Sequence, residues 1–500
     1  MEYKFDKKVL SCMEPCLRET RNSEEILEIR IPDGMPDAGK ILAAWGQTVL
    51  RSKEWRQDQI SCSAGMMVWV LYQPEKEGEP QCLEGWIPHS IRWDLPRDTP
   101  EGDMRIDLQT RFADARITSA RKIMVRSGIS ALAECWNQKE TELYSPEKMS
   151  DELQLLKKKY PLRLVKEAGE KAFQIGEQLN LPPSAPKPDK LMCYMVSPIT
   201  TEKKLVANKL VFRGNAQLHF LYASEEGQLH TWEMPLSFSQ YAQLEGDYGP
   251  SGLGEIMLCP TSLEVSLDSE GCVEAKCSLT AQYLVTEQVL IDVVADAYQP
   301  GSAVQLNSRL LALPVILDNW QESVDIRQEL PGEADIIVDT WVTLDRPRQR
   351  KMDSGVQMEY PGQIQVLYYG ADGMLSSASG RLEGKLSVKA DEKSTLDVQA
   401  WNVPEPQISI GQNSMEVALK LTVQLSAAQT SELEMVTGAA LEEVGKPDPK
   451  RPSLIIKRVG RTGLWEVAKG ADSTMEAIRK ANNLEEDPQP GTLLLIPVSG

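Results

Sequence analysis

Histidine is almost missing: three residues, His89, His219 and His230, in a chain of 500. None sits at a repeated position, so they are expected as solvated strand or hairpin residues and not as metal ligands or bases. Long apolar runs are missing too, and no stretch approaches the ~18 consecutive apolar residues of a membrane span. The opening "MEYKFDKKVLSCMEPC" has no apolar h-region, so no secretory signal is expected. There is no Asn-x-Ser/Thr sequon. The Gly-rich "GPSGLG" at 249–254 is neither a Walker loop nor a nucleophile elbow, and reads as a flexible loop. Adjacent acids such as Glu225-Glu226 fall in turn sequence, where solvation is the expected role; an acid–base pair needs a pocket that separates two pKa values. No catalytic residue, metal or cofactor is expected, and the chain reads as a non-enzyme.

What is present in excess is negative charge. There are 73 acidic against 54 basic residues, a formal net charge of −19. That balance disfavours nucleic acid and membrane insertion, because both present anionic surfaces. Lys157-Lys158-Lys159 is a short basic run that reads as a helix face. Cysteines number nine, odd and scattered. Cys272 and Cys277 are an odd number of positions apart on a strand-like run, hence on opposite faces. Reduced thiols in a reducing compartment are expected.

The length implies about three or four domains of roughly 150 residues, and the chain repeats itself at about that period. Leu-Tyr pairs occur at Leu71-Tyr72, Leu221-Tyr222 and Leu367-Tyr368, 150 and then 146 positions apart. A Gly in a polar turn follows each, the mark of a hairpin. Pro32, Pro182 and Pro331 precede the three leucines by 39, 39 and 36 residues, and apolar Ile129, Leu279 and Val423 follow them by 58, 58 and 56. One domain copied three times is the reading. "MEVALKLTVQL" puts Met415, Val417, Leu419, Leu421, Val423 and Leu425 on one face of a strand. Each copy therefore reads as a β-sandwich or partly open barrel. Helical stripes are expected between copies, in "SDELQLLKKKY" and in "TEQVLIDVVADAY" (Val289, Leu290, Val293, Val294, Ala297). The expected boundaries are 1–147, 148–300, 301–444, a Pro-rich charged linker at 445–452, and a small module at 453–500.

That module orders as β-α-α-β: "LIIKRV", two short helices, then "TLLLIPV". Ser473 and Glu476 fit a capping box for the second helix, Asn482-Asn483-Leu484 ends it, and Trp465 and Ile478 are expected in the core. Residues 450–500 hold eight basic and six acidic residues, so they carry about +2 while the remainder carries about −21. A tethered, mildly basic head on an acidic body suits an acidic protein surface.

Two resemblances follow from these residues. The Ile/Leu-Pro start, the aliphatic-Leu-Tyr, the Gly turn and the long alternating strand are similar to the SPOCS domain of spore-coat-associated proteins. Copy one matches least well. The Leu464-Trp465-x-x-Ala468 start, the Ala481-Asn482-Asn483-Leu484 helix end and the Pro490-Gly491…Leu495-Ile496-Pro497 finish resemble a LysM module. Where that family carries Gly-Asp-Thr, this chain has Gly460-Arg461-Thr462-Gly463, which alters one wall of the family's sugar groove. Together they resemble the SipL-like spore coat morphogenetic proteins. That resemblance implies a scaffold in the mother-cell cytosol, at the forespore surface. Its implied partners are a SpoIVA-like coat morphogenetic ATPase, held by the module, and other spore coat proteins. Candidate contacts are Lys457, Arg458, Arg461, Thr462 and Gly463 on one side, with Asn483, Leu484 and Pro490 on the other. The alternative is a protein of the spore cortex that binds the N-acetylated glycan of peptidoglycan.

Overall fold

The computed structural model describes residues 2–145, 152–268, 270–353, 355–391, 393–442, 452–459 and 463–498. It is mainly β, with two helices among the described residues, both near the C-terminus.

After a short β1 (Glu2–Lys4), six strands follow: β2 (Asp6–Arg30), β3 (Ala38–Arg56), β4 (Gln59–Pro74), β5 (Gln81–Asp94), β6 (Asp103–Ser119) and β7 (Lys122–Ser145). They make two antiparallel sheets, β3-β4-β5 and β2-β7-β6, which bury one apolar core between them. The next six are β8 (Gln154–Leu179), β9 (Pro188–Val206), β10 (Lys209–Ser224), β11 (Leu229–Gln243), β12 (Leu253–Leu267) and β13 (Val273–Tyr298). They pair in the same way, as β9-β10-β11 and β8-β13-β12. The third unit runs β14 (Ala303–Pro331), β15 (Ala334–Leu344), β16 (Arg348–Met352), β17 (Gly355–Gly370), β18 (Leu375–Val388), β19 (Thr395–Asn402), β20 (Gln407–Ile410) and β21 (Ser414–Glu442). Here β15 and β16 both pair β17, while β19 and β20 both pair β21, so two strands of the earlier pattern are each split.

The Leu-Tyr pairs lie on β4, β10 and β17, and alternation along a strand gives the two residues opposite faces. Tyr72, Tyr222 and Tyr368 each enter the core of their own unit. Tyr72 and Tyr222 donate to Pro36 O and Pro186 O at 2.9 and 3.1 Å. Leu71, Leu221 and Leu367 point the other way, into one cluster that all three units share, with Trp45, Trp69, Cys193, Val338 and Trp341. Trp45 and Trp341 stack there at 4.1 Å.

A second meeting point is built from the long strand pairs. The registers of β2–β7, β8–β13 and β14–β21 shift at Cys16, Lys166 and Leu317, and a bulge bends a strand. Beyond the bulges the three ribbons pack together through Leu10, Cys12, Leu164, Ile291, Val293, Leu313 and Met435. β1 pairs with β21, which ties the start of the chain to the third unit.

The structure corrects several expectations. The connecting helices are strands: "TEQVLIDVVADAY" is the end of β13, and "SDELQLLKKKY" enters β8 from Gln154, which takes Lys157–Lys159 with it. In 286–298 the apolar residues fit both periods, but Val289, Ile291 and Val293 also alternate with Gln288, Leu290 and Asp292. β-branched residues and the pairing with β8 favour the extended form. His89 is not solvated; it is buried between Ser23 and Ser127. His219 bridges the second and third units. Of the stretch read as a linker, 445–451 lies outside the described residues. All nine cysteines are free, and burial pushes the Cys62, Cys82, Cys259 and Cys277 thiols up to about 12, so they stay protonated and unreactive.

Candidate functional site: the C-terminal module and its seat

The module begins with β22 (Leu454–Arg458), continues through α1 (Gly463–Lys469) and α2 (Met475–Asn482), and ends with β23 (Leu493–Pro497). β22 and β23 pair antiparallel, with Ile456 opposite Leu495. Leu464, Trp465, Val467, Ala468, Ile478, Leu494 and Ile496 close a small core. Trp465 and Ile478 lie in it, at 8% and 0% exposure.

The capping of α2 differs from the capping-box expectation. Thr474 is the N-cap and accepts from Ala477 N at 3.0 Å. Ser473, one residue earlier, donates instead to Pro497 O and ties the helix to the last strand. At the other end Asn483 takes the left-handed conformation, φ 47°, which asparagine tolerates better than most residues. Asn482 donates to Leu495 O and accepts from Leu495 N, at 2.6 and 2.8 Å, and so satisfies the backbone of β23 at that point.

Of the eight candidate contacts, Arg461 and Thr462 lie outside the described residues. Lys457 and Arg458 are exposed on β22. The Arg458 guanidinium donates to Gly491 O at 3.2 Å, which brings it to the Pro490-Gly491 turn. Gly463 opens α1 with φ 84° and Gly491 has φ 97°, conformations that glycine adopts at little cost. Asn483 is exposed. Leu484 is half-buried against the module's own core, so it is in part a packing residue.

The module is not a free head. Trp465 Nε1 donates to Asp296 Oδ2 at 2.8 Å, and Lys469 Nζ holds both oxygens of the same carboxylate at 2.9 and 2.7 Å. Tyr298 donates to Ser473 O at 2.9 Å and meets the Trp465 ring edge-on at 4.8 Å. Leu156 packs beside them. The seat is therefore the end of β13 with the start of β8, from the second unit. Asp296 and Tyr298 were missed in the sequence because they stand some 170 residues before their partners, in a segment that fits a helical stripe.

The buried polar groups of the body face one another. Arg105 Nε donates to Glu134 Oε2 at 2.8 Å, and Arg18 pairs with the other oxygen of that carboxylate. Burial raises the Glu134 carboxyl, but Arg105 and Arg18 outweigh it and hold it below its ordinary value. Arg18 also reaches Asp397 at 2.9 Å, and Arg346 reaches Asp107 at 2.8 Å. These pairs join the first unit to the third; Gln282, bonded to the backbone of Ile106 in both directions, joins the second to the first. Cavities of about 500, 370 and 200 Å³ lie along these junctions. Among the described residues no group of three or more His, Cys, Asp or Glu is placed to hold a metal ion, and no helix is long and apolar enough to cross a membrane. Comparison with family models, curated proteins and solved structures finds no match to this chain.

Proposed function

We propose that the chain is a non-enzymatic scaffold of bacterial endospore coat assembly. In this reading its C-terminal module docks on a SpoIVA-like coat morphogenetic ATPase at the forespore surface, in the mother-cell cytosol, while the three β-units offer contacts to other spore coat proteins. The observation that carries it is the seating of a mildly basic module on a large acidic body. Asp296 and Tyr298 fix the module's orientation, which lowers the entropic cost of presenting it to a partner. The resemblance to SPOCS repeats and to LysM supplies the biological setting. The changed loop at Gly460-Arg461-Thr462-Gly463 favours a protein partner over glycan.

The test titrates the full-length chain against a purified SpoIVA-like ATPase and, separately, against soluble peptidoglycan fragments. A chain ending before residue 445 serves as the control. Binding to the ATPase that needs residues 445–500 and falls in Arg461→Glu supports the adaptor. Binding to glycan at micromolar concentration, with none to the ATPase, overturns it in favour of a cortex protein.

A further inference from the structure

A two-stranded sheet with helices on one side ordinarily turns polar side chains outward on the other. The β22–β23 sheet does not. Ile455, Leu494 and Ile496 face the helices, while Leu454, Ile456, Leu493 and Leu495 face outward at 52%, 68%, 59% and 39% exposure. Pairing sets Ile456 beside Leu495 and Leu454 beside Pro497, so the side chains form one patch. The exposures hold in the presence of the whole body, so no described part of the chain covers it. Contiguous exposed aliphatics of this kind mark interaction surfaces.

Charge narrows the occupant. By strand alternation, Arg458 opposite Leu493 is the charged residue on that face among the described strand residues. Lys450 and Arg451 precede the strand in sequence. None of the module's six acids lies on either strand: Glu466 and Glu476 are in the helices, Asp472 is between them, and Glu485, Glu486 and Asp487 follow α2, with Asp487 paired with Arg479. A second copy fits poorly, because a two-fold contact sets this face against itself and brings one Arg458 towards the other, with no carboxylate on either strand to pair them.

We infer that the outer face of the β22–β23 sheet, and not the loops flanking α1 and α2, is the main docking surface. It takes an acidic amphipathic segment of a protein partner, with an aliphatic stripe against Leu454, Ile456, Leu493 and Leu495 and a carboxylate against Arg458. This deepens the adaptor reading and rests on it. The patch is apolar at the centre with Arg458 at its edge, the usual layout of a protein interface.

The experiment compares the unsubstituted full-length chain with Ile456→Glu/Leu495→Glu, Arg458→Glu and Arg461→Glu by titration against the SpoIVA-like ATPase. Each variant's thermal transition and near-UV circular dichroism report its fold. Ile456, Leu495 and Arg458 are exposed, and Leu454→Lys is a second apolar-face variant should the double one unfold. The proposal expects at least a tenfold weaker affinity for the apolar-face variant, and a smaller loss for Arg458→Glu that narrows as added salt screens the exposed charges. Unchanged affinity in the apolar-face variant alongside loss in Arg461→Glu overturns the surface and leaves the adaptor standing. No binding by the unsubstituted chain overturns both. Self-association in sedimentation velocity that the apolar-face substitutions abolish also overturns the inference, by making a second copy the occupant.

Discussion

Two histidines show how one residue type takes opposite roles. His89 is 2% exposed, with Nδ1 3.0 Å from Ser23 Oγ and Nε2 2.9 Å from Ser127 Oγ. Burial lowers its pKa to about 4. The unfolded chain binds a proton near pH 6.5 that the folded chain refuses, so the contribution of His89 is complete above 6.5 and lost as pH falls towards 4. The full swing is on the order of 3 kcal/mol. Urea midpoints at pH 7.5 and 5 should fall further for the natural chain than for His89→Gln. His219 runs the other way: burial pulls it down, but Asp339 at 2.9 Å and Glu233 at 3.2 Å outweigh that and hold it at about 10. Its contribution is complete below pH 6.5 and is lost as pH rises through about 10, so His219→Gln should flatten the loss of stability over that alkaline range. Neither environment was legible in the sequence, because each ring is surrounded by residues from distant strands.

At the scale of elements, the seat of the module and the bends of the strands decide the arrangement. Asp296→Ala removes the acceptor shared by Trp465 and Lys469, a loss of about 1–3 kcal/mol in docking. Hydrogen–deuterium exchange should quicken in α1 and stay unchanged in β10. Close approach is equally exacting in the first unit. A β-carbon at Gly65 would lie 1.9 Å from Trp86 Cζ2, while the Arg51 guanidinium covers that ring at 4.6 Å. Gly65→Ala should therefore cost about 1–3 kcal/mol, visible as a lowered melting temperature. Alternation made strands such as β21 legible in advance: Met415, Val417, Leu419, Leu421, Val423 and Leu425 all enter one core. The end of β13 was misread, because its apolar residues satisfy a helical stripe as well as an alternating one. Only the presence of β8 alongside settles which period is used.

Across the whole molecule, the shared cluster of Leu71, Leu221 and Leu367 makes the three units interdependent. Leu221→Ala should cost about 2–5 kcal/mol and lower the stability of all three together, in one cooperative transition. Val417→Ala, inside the third core alone, should quicken exchange chiefly in β14 and β21. Calorimetry with exchange on the same samples separates the two patterns.

By itself the sequence determined the β character of the chain, the faces of its strongly alternating strands and the composition of the C-terminal module's core, since these depend on periodicity and local turn chemistry. It also marked the Leu-Tyr pairs. Only the tertiary structure decided what those pairs do. The tyrosine serves its own unit and the leucine serves the shared centre, because adjacent strand residues face opposite ways and the units happen to meet on the leucine side. The seating of the module at Asp296 and the outer face of β22–β23, which no described residue covers, belong to the same category. An apolar run such as "TLLLIP" reads as a short strand, and whether a second layer covers its outer face depends on residues hundreds of positions away.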